Sequence, residues 1–198
     1  TPKALTRLIS YQDPIADSVE NYADVSIAAR GFYALEFLLY DRVLRSFGNA
    51  AYRCTLIQTI SADTALVTAA ISNDWQYDYP ISLLEPSTTG TYRSHEEVQQ
   101  ELFKTLSTGL QFTAETRLGR PLGTYQKPRP TRAEVWRSGR SAQHVTLSIN
   151  SLRELAAALA NDNALLASDL DTAFEKALER LADLNDPVFA GVADPQRR

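Results

Sequence analysis

The sequence predicts an all-α protein, a helical bundle made of two packed helical halves. Three observations predict it. Apolar residues return at three- and four-residue steps along most of the chain, and nothing alternates with the two-residue period of a strand. Two stretches, Ser94-His95-Glu96-Glu97 and Thr131-Arg132-Ala133-Glu134, have the capping-box pattern that opens a helix.

Taken in order, residues 3–12 form a short amphipathic segment with Leu5, Leu8 and Ile9 on one side, closed by Pro14. Asp17 or Ser18 caps a helix that runs through Val25 and Ala29 to about Phe47, where Gly48-Asn49 ends it. Gly31 falls inside that helix, costs about 1 kcal/mol against alanine, and points to close packing of another helix or a ligand. A second helix covers 51–73, with Leu56, Ile57, Ile60, Val67 and Ile71 on its apolar stripe. Trp75 to Arg93 contains Pro80, Pro86 and Gly90 and reads as a long connection. It places the division between a first half, 1–80, and a second, 81–198. The Ser94 box opens a helix burying Val98, Leu102, Leu106 and Leu110. Gly119 through Pro130 is a second connection. The Thr131 box then starts a helix through Trp136 that continues to about Leu159, with Val145, Ile149, Leu152 and Ala156 on its stripe. Asn161-Asp162-Asn163 makes a turn, and Leu166, Leu170, Phe174, Leu178 and Leu181 define the last helix.

A net charge of −4 argues against a nucleic-acid partner, which a basic surface would mark. Arg129, Arg132, Arg137 and Arg140 make a local basic cluster, but Glu134 and a proline-rich turn lie among them. The single cysteine, Cys54, excludes an internal disulfide and a multi-cysteine metal site. His95 and His144 do not make a zinc site by any recognisable spacing. No uninterrupted apolar run reaches the roughly 20 residues of a membrane span.

The stretch with most chemical content is Gly31 to Tyr40, almost wholly apolar around one carboxylate, Glu36. On a helix Glu36 shares its face with Tyr33, Arg30 and Tyr40. A charge on such a face costs free energy unless something pairs with it. Glu36 is therefore either buried and paired, with Tyr33 and one of Arg30, Arg137 or Arg140 as partners, or it coordinates something. Arg137, Ser141 and His144 share one face of the predicted helix 132–159, and Trp136, Arg140 and His144 share another. Arginine forks bind carboxylates bidentately. Arg137, Arg140 and Ser141 are accordingly candidates for a ligand site, with a structural ion pair to Glu36 as the other reading. No Gly-x-Ser-x-Gly elbow accompanies Ser141, so a serine hydrolase is discounted.

Arg30-Gly31-Phe32-Tyr33-Ala34-Leu35-Glu36-Phe37-Leu38-Leu39 resembles the signature helix of the imelysin-like proteins, a bacterial family first labelled as metallopeptidases. Its motif is Gly-x-His-x-x-Glu; Gly31 and Glu36 match, and Tyr33 occupies the histidine position. Lys127-Pro128-Arg129-Pro130 followed by Ala133-Glu134-Val135-Trp136-Arg137-Ser138-Gly139-Arg140-Ser141 resembles the family's other marked segment. The resemblance implies an imelysin-like bundle exported to the periplasm or tethered as a membrane lipoprotein and linked to iron acquisition. It implies Glu36 and Tyr33 as metal-site residues, iron as the cofactor, and a metal ion, a small ligand or iron-uptake membrane components as partners. A tyrosine phenolate suits ferric iron, whereas loss of the histidine argues against zinc hydrolysis. The function expected is a non-catalytic metal- or ligand-binding protein, with its site between helix 24–47 and helix 132–159. The alternatives are a metal-dependent peptidase of the imelysin type and a structural or interaction module. Because the signature begins about thirty residues in, further helices are expected to precede it in the parent protein.

Overall fold

The computed structural model describes residues 2–160 and 162–197, and it is all-α: the described residues hold no strand, only one isolated bridge between Thr124 and Lys127. The chain forms two compact units, Thr1–Leu84 and Glu85–Arg198.

In the first unit, α1 (Pro2–Tyr11) buries Leu5, Leu8 and Ile9. Pro14 opens a 3-10 turn, Pro14–Asp17, whose Ile15 N–H is accepted by the Asp13 side chain. Ser18 caps α2 (Val19–Tyr22) by accepting the Asn21 N–H. The single helix expected up to Phe47 does not form. After α2 come a 3-10 turn at Ile27–Ala29, then α3 (Gly31–Tyr40), then a further 3-10 turn at Leu44–Ser46. Local side chains break it: Ser26 takes the Ala28 N–H, and Asp41 takes those of Val43 and Leu44. Gly31 has φ +71° and starts α3 instead of lying inside a helix, and a Cβ there would meet nothing. Its value is the left-handed backbone, and the close packing expected of it is absent.

Asn49 caps α4 (Ala50–Asn73), the helix on which the unit is built. Its buried face is Tyr52, Leu56, Thr59, Ile60, Asp63 and Thr64, a stripe at helical spacing that mixes apolar and polar groups. Val67 and Ile71, expected in the core, are 43% and 51% exposed. The helix also does not stop where a connection was expected. A π turn at Asp74–Asp78, closed by Tyr79 N–H to Asp74 O, carries it into α5 (Tyr79–Leu84). Pro80 has no N–H to offer a regular ladder, and the wider turn just before it absorbs the change in register. The run Ala50–Leu84 is long and apolar enough to cross a membrane by length and composition. Only its first part, Tyr52 to Thr64, carries the buried stripe of this unit, and 28% of its apolar stretch is buried.

The second unit starts with a loop to Ser94, whose Oγ accepts the Glu97 N–H and caps α6 (His95–Gln111). Glu97 reaches back to the Arg93 N–H at 2.7 Å, completing the expected box one residue early. A π turn at Phe112–Leu118 and α7 (Gly119–Leu122) continue it, so the second connection begins only at Gly123; Pro121 again follows a π turn. The Thr131 box does not form. Thr131 lies within a 3-10 turn, Pro130–Arg132, and Val135 takes a left-handed φ of +46°. Another 3-10 turn, Trp136–Ser138, precedes α8, which starts at Ser141 and ends at Leu159. The expected turn 161–163 contains Asn161, outside the described residues; Asn163 caps α9 (Ala164–Asp183). Leu106, Val145, Ile149, Leu152, Ala156 and Phe174 form the core between these helices.

Candidate functional site

Glu36 is buried on α3, 7% exposed, as expected of a charge in an apolar run, while Tyr33 one turn away is half exposed. The arginine nearest in sequence is committed elsewhere. Arg30 grips Asp63 of α4 with a two-bonded fork, Nε to Oδ2 at 2.9 Å and Nη2 to Oδ1 at 2.5 Å. Its Nη1 donates to the Ala23 carbonyl at 2.5 Å. Arg30 is therefore a partner of Asp63, not of Glu36. Asp63 is nearly inaccessible, its side chain 5% exposed, and the fork raises the pKa of Arg30 further, chiefly through that hydrogen bond.

Asp63 belongs to a set of groups on α4 that satisfies the irregular segments around α3. Thr59 Oγ1 donates to Ala16 O at 2.5 Å and Tyr52 Oη to Asp13 O at 2.9 Å. Tyr22, fully buried, donates to Ala29 O at 2.8 Å. Burial, with Tyr52 and Asp63 adding to it, pushes the Tyr22 hydroxyl well above the ordinary tyrosine range. Burial also pushes Tyr52 up to about 12, with Asp13 and Asp17 adding to it. The bonds from Thr59 and Tyr22 meet buried carbonyls at the ends of short turns, and that from Tyr52 adds to an Asp13 carbonyl that also accepts the Ala16 N–H. Sequence reading missed Asp63. Its signal was present: Asp63 lies three residues past Ile60 and seven past Leu56, the spacing of the buried stripe.

The second unit has a comparable centre. Arg117, on the π turn, donates from Nε to Glu134 Oε2 at 2.8 Å and from Nη1 to Ser148 Oγ at 2.6 Å, and stacks over Phe112 at 5.0 Å. Thr113 meets the same Ser148 hydroxyl at 3.2 Å. Ser141, predicted to bind a ligand, is buried and donates its hydroxyl to the Glu134 carbonyl at 2.6 Å, so it fixes the loop that carries Glu134. Arg137 lies before α8, not on it, and its guanidinium stacks 4.5 Å over the Trp136 ring. The face predicted for Arg137, Ser141 and His144 is thus not a helical face. Arg140, exposed, occupies the position just ahead of α8. Trp136 Nε1 is buried with no acceptor among the described residues.

The iron implied by the resemblance would need several oxygen or nitrogen donors converging on one point. Glu36 and Tyr33 supply a carboxylate and a phenol, and the unit's other buried carboxylate, Asp63, has both oxygens on Arg30. Among the described residues no three His, Cys, Asp or Glu side chains gather as a metal-binding group. These donors do not make up a metal shell of the kind iron or zinc sites use.

Against known families, the model described as Imelysin, a peptidase family, matches residues 1–198. No curated protein and no solved structure matches the chain.

Proposed function

We propose, on the premise that this chain belongs to the imelysin family over its whole length, that it is a non-catalytic binding protein. One observation carries the reading. Three polar side chains of the two family-like segments are engaged in holding backbone and in ion pairs: Arg30 on Asp63, Ser141 on the Glu134 carbonyl, and Glu134 on Arg117. A hydrolase needs a base or a metal-bound water with free access to substrate, and none of these groups is placed to act so. Glu36 and Tyr33 are the binding groups on this reading, a buried carboxylate beside a half-exposed phenol on α3. Service in iron acquisition, and a place in the periplasm or on a membrane as a lipoprotein, are what family membership suggests for such a protein.

The test is equilibrium dialysis of the 198-residue chain against ferric, ferrous and zinc salts, with metal quantified, beside a protein-cleavage assay with and without chelator. The expected result is no chelator-sensitive cleavage and, with no donor set that completes a metal shell among the described residues, no stoichiometric zinc or iron uptake. Chelator-sensitive cleavage abolished by Glu36→Gln would establish the peptidase instead.

A further inference from the structure

The strongest unassigned feature lies in the second unit, at the loop that follows α7. α7 ends at Leu122, and Gly123, with φ +63°, reverses the chain; its N–H donates to Gly119 O at 2.9 Å. Thr124 and Lys127 exchange backbone hydrogen bonds at 3.2 and 2.9 Å, and Arg129 N–H returns to Pro121 O at 2.9 Å. The 3-10 turn Pro130–Arg132 then brings Arg132 to the same hollow. The result is a cavity of about 300 Å³ lined by Gly119, Arg120, Gly123, Thr124, Arg129 and Arg132.

The charges lining the hollow are all of one sign. From Gly119 to Ala133 the sequence carries Arg120, Lys127, Arg129 and Arg132 and no acidic residue, in a protein of net charge −4. Arg30, Arg117 and Arg153 each grip a carboxylate. Arg120, Arg129 and Arg132 make no side-chain hydrogen bond or ion pair among the described residues. Each offers five N–H donors in a planar fork. Three such forks around one hollow, with no acid on its lining, focus a positive potential into it.

We propose that this cradle binds a small, multiply charged oxyanion. Guanidinium forks match the paired oxygens of phosphate and carboxylate groups, and two or three forks on one ligand favour a ligand with more than one negative charge. The volume admits a phosphate with attendant water or a compact polycarboxylate. The site depends on neither Glu36 nor the binding role drawn above, and its success or failure leaves that reading untouched.

Isothermal titration of the full 198-residue chain with inorganic phosphate and, separately, with citrate at matched ionic strength tests it. Saturable binding of at least one is expected, weakened about tenfold or more by Arg129→Ala with Arg132→Ala, since each lost charged hydrogen bond is a large factor in affinity. Phosphate alone would identify a phosphoryl ligand, citrate alone a polycarboxylate. Lys104→Ala, which removes an exposed cation from α6, should leave the affinity unchanged. A circular dichroism spectrum checks that the paired variant folds, and Arg120→Gln repeats the reading if it does not. No binding of either anion, binding unaffected by the arginine variants, or an equal loss in Lys104→Ala would overturn the proposal.

Discussion

In each unit an arginine–carboxylate pair joins an irregular link to a helical stretch, and the two pairs, Arg30–Asp63 and Arg117–Glu134, are opposite in construction. In the first unit the acid, Asp63, sits mid-helix on α4 and the arginine, Arg30, comes from an irregular link. In the second the arginine, Arg117, sits on the π turn after α6, and the acid, Glu134, comes from the irregular link. The Asp63 side chain is 5% exposed and that of Glu134 16%. A short acid mid-helix is more deeply shielded than one at the end of a longer side chain on a loop. Removing one partner of a buried pair is costly because the other is left charged and unpaired. The first fork should therefore be the more sensitive of the two.

The largest effect expected is from Asp63→Ala, which leaves the Arg30 guanidinium only its bond to the Ala23 carbonyl and should destabilise the first unit by about 3–5 kcal/mol. Urea unfolding measures it, and amide exchange should show α2 and α3 loosening first. A loss under about 1 kcal/mol, the size usual for surface pairs, would break the distinction. Glu134→Ala removes a less buried acid and leaves Arg117 still bonded to Ser148. The expected loss is about 1–3 kcal/mol, the range for a charged hydrogen bond, read by the same titration.

Tyr52→Phe sharpens the comparison from within the first unit, because it removes one bond to a carbonyl and no charge. It should cost about 0.5–1.5 kcal/mol at neutral pH. The folded hydroxyl titrates at about 12 against an ordinary value of 10. Its contribution is therefore complete below 10 and is lost as pH climbs toward 12. The variant should lose part of the alkaline sensitivity seen by circular dichroism. In the second unit the sign reverses at Asp186. Burial raises its pKa, but the N–H groups of Gly191, Ala190 and Val188, with Arg197, outweigh it and hold the carboxyl below its usual range. That contribution is present above the ordinary carboxylate pKa and disappears as pH falls through the lowered value. Asp186→Asn keeps one acceptor oxygen and sets an amide donor against a backbone N–H, so it should cost about 1–3 kcal/mol and flatten the acid limb in thermal unfolding.

Long periodic helices were legible: α1, α4, α6 and α9 lie close to where their stripes and caps put them, and α8 follows its stripe but starts at Ser141, not at the Thr131 cap. What the sequence hid follows a physical pattern. Pro80 and Pro121 look like loop markers, yet π turns before them let the helix continue. Gly31 looked like a packing residue because its positive φ has no counterpart in a helical stripe. Thr131 looked like a cap, but Glu134 had a stronger partner in Arg117 than an amide at the start of a helix. At the candidate site, burial of Glu36 could be read from its neighbours, since a lone charge in an apolar run predicts it. The partner of Arg30 could not, because Asp63 is 33 residues away and helical spacing speaks only for residues on the same helix.

The same separations bear on the order in which the chain assembles. α8 and α9 are joined by the short stretch 160–163, so their packing closes a small loop and can form early. The Arg117–Glu134 fork spans 17 residues and the Arg30–Asp63 fork 33. Doubling a loop adds only about 0.6 kcal/mol of closure entropy, so the longer span is a small handicap. The larger one is that Arg30 is presented from an irregular link that depends on its packing against α4, so its pairing with Asp63 is expected to come after that packing. The fork is then a late event in refolding. Asp63→Ala should speed unfolding far more than it slows folding, whereas truncations at Ile149 or Phe174 in the helical hairpin should slow folding itself.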